Sequence, residues 1–168
     1  MTGQPDLTTR QALKDRYAAM EEAKADAVGT NSLRILTRSG VYDEAFLEEV
    51  YIDHVADMFR CVRFGITEAH GLGCLTQFNF LRDRGAITYD EPTGLFAADL
   101  EVIPVAIAEM AHVYLMMQAT GDYDGAGAFI EEYGTISPEM QGALDRLAET
   151  VPVDIRPSYA VEEMMADW

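Results

Sequence analysis

From Asp43 to Gly65 the apolar residues return at helical spacing, with Leu47, Tyr51, His54, Val55, Met58 and Val62 on one stripe behind an aspartate able to cap the first turn. A chain that repeats such a pattern must bury one stripe from each helix against the others. Thr8 or Thr9 can cap a helix over about residues 9–38, in which Gly29 is the only weak point. A further helix over about 67–84 sets His70, Cys74, Phe78 and Leu81 along one stripe, so His70 is expected to face inward. Asp99 can cap a long apolar helix ending near Thr120, where Gly121 stops it; Pro104 lies too deep for the first turn and should kink the helix or delay its start. Two shorter helices follow, about 123–133 and 138–150, the second with Ser137 as cap and Pro138 at its first position.

Helix is interrupted once. In AITYDEPTGLFAAD, β-branched and aromatic residues flank a Glu-Pro-Thr-Gly turn, which reads as a β-hairpin over about 86–98. The fold class is mostly α: a compact multi-helix domain with one short hairpin, without the repeats of a solenoid or the heptads of a coiled coil. A length of 168 residues fits one domain over 1–168, with loose ends at 1–7 and 157–168.

Charge narrows the partners. Twenty-nine acidic against 12 basic residues give a formal net charge of −17, which repels nucleic acid and anionic lipid, so neither a nucleic-acid nor a membrane partner is expected. The N-terminus has neither the basic start nor the apolar core of a signal peptide, and the expected location is the cytoplasm. Cys61 and Cys74 lack CxxC spacing and fit buried thiols better than a zinc or redox site.

Candidate chemistry centres on Glu21-Glu22-Ala23-Lys24-Ala25-Asp26. Glu22 and Asp26 lie one turn apart and share a face with Ala18, Ala25 and Gly29, small residues that let another helix come close; the alternative is a solvated acidic patch. Joined by His54 and His70 on their apolar stripes, these carboxylates offer groups for proton transfer, with Arg63 and Arg60 available to an anionic substrate group. A lone histidine on an apolar face is more often a hydrogen-bonded core residue than a catalyst, and that is the alternative for each. Glu109-Met-Ala-His112 has the Glu-x-x-His spacing of carboxylate-bridged di-iron bundles, but the second copy such sites need is missing. Nucleophilic triads, P-loops, GxGxxG and HExxH motifs are absent from the sequence.

The segments EEAKADAVG, FRCVRFGITEAHG, FNFLRDRGAIT and DEPTGLFAAD, in that order, resemble the C-terminal part of bacterial zinc peptidases related to dipeptidyl peptidase III, over about residues 10–155. In that family a HExxGH helix supplies two histidine ligands and the catalytic glutamate, and a later Glu-Glu pair the third ligand. The resemblance implies that Glu22 matches this ligand, Glu21 its supporting neighbour, and His70 the histidine that assists substrate or transition-state binding. Cys74 stands where some members carry a basic residue. No HExxGH occurs in the sequence, and one carboxylate cannot hold zinc tightly. The favoured expectation is therefore a stand-alone, metal-free acid–base enzyme acting on a small molecule, of isomerase, lyase or cyclase type. Its catalytic residues are Glu22, His70 and Asp26, its substrate-binding residues His54, Arg63, Arg60 and Glu21, and it needs no metal and no cofactor. The alternatives are a non-catalytic ligand- or partner-binding module, or a subunit completing a zinc peptidase site in trans. Apolar helix faces exposed by the missing half imply a homodimer.

Overall fold

A computed structural model describes residues 6–153, 159 and 161; most of the two expected loose ends lies outside these residues. The described chain is mostly α with one antiparallel hairpin, as the sequence patterns imply. The first helical stretch departs from expectation. It forms α1 (Thr9–Leu13), a 3-10 turn (Lys14–Arg16) and α2 (Tyr17–Arg38), and the break falls at Lys14, φ +50°, rather than at Gly29. Tertiary contacts explain the break. Lys14 and Arg16 sit over the Tyr123 ring, at 4.8 and 3.7 Å from its centroid, and the Tyr123 hydroxyl donates to Asp15 Oδ1 at 3.1 Å. These contacts offset the cost of a positive φ at a residue with a Cβ.

Asp43 caps α3 (Glu44–Arg63) through the Phe46 N–H, and α4 (Ala69–Asp83) follows after a short connection. The strands β1 (Ile87–Asp90) and β2 (Leu95–Ala98) pair with Ile87 opposite Ala98 and Asp90 opposite Leu95. Pro104 delays the next helix. Asp99 Oδ1 accepts from the Glu101 and Val102 N–H groups, and α5 (Ile103–Thr120) begins with Pro104 in its first turn, where a missing N–H costs nothing. Gly121 ends it with φ +67°. Helices α6 (Tyr123–Tyr133) and α7 (Pro138–Thr150) start on caps from Asp122 and Ser137.

Helix α4 is the centre of the fold. Its Gly71, Gly73 and nearly every residue from Cys74 to Leu81 are buried, including Thr76 and Gln77, because α2, α3, α5 and α6 all pack against it. Phe78 meets Phe59 of α3 and Phe96 of β2, while Phe80 meets Phe129 and Tyr133 of α6. The small residues that admit close helix approach are not the expected Ala18, Ala25 and Gly29, which are exposed. They lie one step around α2, at Ala19, Ala23 and Ala27, where a Cβ on Gly73 would stand 3.0 Å from the Ala19 carbonyl. Among the described residues no helix is long and apolar enough to cross a membrane.

Candidate functional site

The close seam between α2 and α4 sets what the acidic turn of α2 can reach. Glu22 emerges at the edge of the seam, and its Oε2 lies 3.2 Å from Nδ1 of His70 in the first turn of α4. Both side chains are open to solvent, 47% and 54% exposed, so His70 does not face inward as its stripe implied. The reason is position: at the start of α4 the stripe has not yet passed beneath α2, and burial begins at Gly71.

Asp26 and His54 go to a different place. With Asp57, Cys74 and Gln77 they line a cavity of about 300 Å3 between α2, α3 and α4. There Gln77 Nε2 donates to Asp26 Oδ2 at 3.2 Å, while His54 Nδ1 lies 3.5 Å from Thr30 Oγ1. His54 Nε2 and Gln77 Oε1 are buried without a protein partner. Burial pushes the His54 pKa down, against the opposing pull of Asp26, Asp57 and Asp53, so the ring is held neutral.

The other expected contacts are used elsewhere. Glu21 binds Lys24 through Oε1 at 2.6 Å and accepts from Gln118 of α5 through Oε2 at 2.9 Å, and the Lys24 hydrogen bond holds its carboxyl below the usual range. It ties α2 to α5. Arg63 donates to the Val151 carbonyl, and Arg60 pairs with Asp57 at 3.8 Å and lies over the Phe64 ring, so neither arginine pairs with Glu22. His112 is exposed on α5, and its neighbour Glu109 pairs with Arg84.

One cluster escaped the sequence reading. Cys61, in the last turn of α3, and Cys74, on α4, are buried beside one another, and with His70 they bring three ligand-type atoms within 4.8 Å. The hydrogen bond with Cys61, with burial second, pushes the Cys74 thiol up and keeps it protonated near neutral pH. The short link between α3 and α4 folds the end of one helix against the start of the next, and only that fold brings the three side chains together.

No protein-family profile matches the chain. Its fold is similar to a helical part of dipeptidyl peptidase III, as the sequence motifs imply. The solved structure from Caldithrix abyssi superposes on 94% of this chain with a TM-score of 0.88 and 34% identity, and that from Corallococcus sp. strain EGB on 96% with 0.86 and 34%. This chain covers 30% of each of those proteins. Among curated proteins, Nudix hydrolase 3 of Arabidopsis thaliana is 37% identical over 166 residues, 98% of this chain and 21% of that protein.

These relatives correct the expected activity. One is named a hydrolase and two are named peptidases, and nothing among them supports an isomerase, lyase or cyclase. The geometry agrees, since Glu22 and His70 stand half in water, whereas metal-free acid–base chemistry on a small molecule calls for a closed site. The zinc implied by the resemblance does not fit the residues of this chain taken alone. Glu22 is half exposed with His70 as its partner, His54 faces the cavity with Asp26, His112 is exposed on α5, and no described histidine pair stands beside Glu22.

Proposed function

We propose that this chain is the helical part of a peptide hydrolase, presenting Glu22 and His70 to a substrate whose reacting bond is handled together with groups outside this sequence. The 3.2 Å contact between Glu22 Oε2 and His70 Nδ1 carries the reading. It places a carboxylate and an imidazole, from two helices locked together at Gly73, on one solvent-facing edge. His70 can donate to a carbonyl oxygen or its developing anion, and Glu22 orients the ring and stabilises its protonated form. The named relatives support the hydrolase class, and the share of their length that this chain covers supports a composite site. Exposed Val105, Leu115 and Met116 on α5 offer apolar surface for the rest of such a protein, or for a second copy of this chain. Free thiols at Cys61 and Cys74 suit a compartment that keeps thiols reduced, consistent with the cytoplasm.

The test is a transplant. Replacing the matching segment of the Caldithrix abyssi protein with this chain should give a folded chimera whose kcat/KM for peptide hydrolysis stays within about 100-fold of the parent. A chimera that unfolds cooperatively at the parent's temperature yet hydrolyses no peptide contradicts the proposal.

A further inference from the structure

Cys61 and Cys74 are 5% and 2% exposed, and their Sγ atoms lie with a His70 ring nitrogen inside a 4.8 Å triangle. We propose that these three side chains form a binding site for a thiophilic divalent cation, zinc above all, separate from the ligand set that the peptidase resemblance implies. Two sulfurs and one imidazole are the donors that select zinc over magnesium or calcium. In a tetrahedral site with Zn–S bonds of about 2.3 Å and a Zn–N bond of about 2.1 Å, the sulfurs stand about 3.8 Å apart and each lies about 3.6 Å from the nitrogen. The 4.8 Å triangle therefore needs to close by at most about 1.2 Å per edge.

The surroundings suit a cation. Asp57 Oδ2 accepts from the Cys61 thiol at 3.4 Å, so a carboxylate already stands beside one sulfur and can fill the fourth position or orient the thiolate. The cavity lined by Asp26, Asp57 and Cys74 borders one of the two cysteines, and its acidic walls attract positive charge. The imidazole has a nitrogen for each task. Nδ1 lies 3.2 Å from Glu22 Oε2, so a cation taken on Nε2 would leave Nδ1 the carboxylate hydrogen bond that metal-bound histidines commonly make. Binding displaces the two thiol protons to the buffer, leaving two thiolates on one cation.

The site does not depend on the hydrolase reading and is tested by binding alone; a cation held on Nε2 occupies the nitrogen that His70 would offer to a substrate carbonyl, so the two uses exclude one another at any moment. The reduced, tag-free chain is titrated with Co2+, a spectroscopic stand-in for zinc, after thiol titration confirms two free cysteines. One equivalent should raise a thiolate-to-cobalt charge-transfer band in the near ultraviolet, and one equivalent of Zn2+ should abolish it. Cys61→Ser and Cys74→Ser should each lose most of that band. Both cysteines are buried and their variants can fail to fold, so exposed His70 gives the second arm: His70→Ala should fold normally and weaken Co2+ binding at least tenfold. The absence of a charge-transfer band in the reduced wild-type chain overturns the proposal. So does unchanged Co2+ affinity in His70→Ala.

Discussion

At the scale of single residues, the contrast between His70 and His54 shows how two histidines on similar stripes reach opposite ends. His70 sits in the first turn of α4 and stays in water beside Glu22, whereas His54, midway along α3, is enclosed with Nε2 unpartnered. Burial lowers the His54 pKa below its ordinary 6.5 although Asp26 on α2, and Asp53 and Asp57 on its own helix, pull the other way; Cys74 faces the same cavity from α4. As pH falls through 6.5 the unfolded chain takes up a proton that the folded chain resists, so this group lowers stability on acidification. Urea unfolding at about pH 7.5 and 5.5 should show wild type losing more stability between the two than His54→Asn. Equal losses in both proteins contradict the placement. The spacing showed that both histidines lay on apolar stripes, but it could not show that a stripe is dry only where a neighbouring helix crosses it.

At the scale of elements, capping residues made most boundaries legible: Asp43, Ser137, Pro138 and Gly121 each act where their chemistry implies. The break at Lys14 was not legible, because it rests on Tyr123, more than a hundred residues further along the chain. The α2–α4 seam was misread by one step around α2, since alanines occur on both of its faces and composition alone does not say which face is covered. That distinction is measurable with two glycines. At Gly29 a Cβ meets nothing within 4 Å, so Gly29→Ala should stabilise by about 1 kcal/mol through helix propensity. At Gly73 the new Cβ would stand 3.0 Å from the Ala19 carbonyl and 3.3 Å from the Ala23 nitrogen, both rigid backbone atoms. There an overpacking cost of about 1–3 kcal/mol exceeds the propensity gain, and Gly73→Ala should lower the thermal midpoint. Shifts of the same sign in the two variants would refute the seam as described.

At the scale of the whole molecule, the resemblance to dipeptidyl peptidase III was legible because its motifs run in order along the chain, and the structures agree over nearly all of it. Activity was not legible in the same way. Retained ionisable groups suggested a self-sufficient metal-free site, but the fold parts Glu22 and His70 from Asp26 and His54, and an open edge is a portion of a site rather than an enclosure. Glu21, the neighbour of Glu22 in the sequence, fastens α2 to α5, a contact across helices that its spacing did not announce. What no spacing rule could supply is the trio of Cys61, Cys74 and His70, which exists only once α3 folds back on α4. The central claim is that Glu22 takes part in hydrolysis. It is tested most directly by the ratio of kcat/KM for peptide hydrolysis between the chimera carrying this chain unaltered and the same chimera with Glu22→Gln. The substitution keeps shape and removes the charge, so the account predicts a ratio of about 10² or more with unchanged thermal stability. A ratio near one contradicts it.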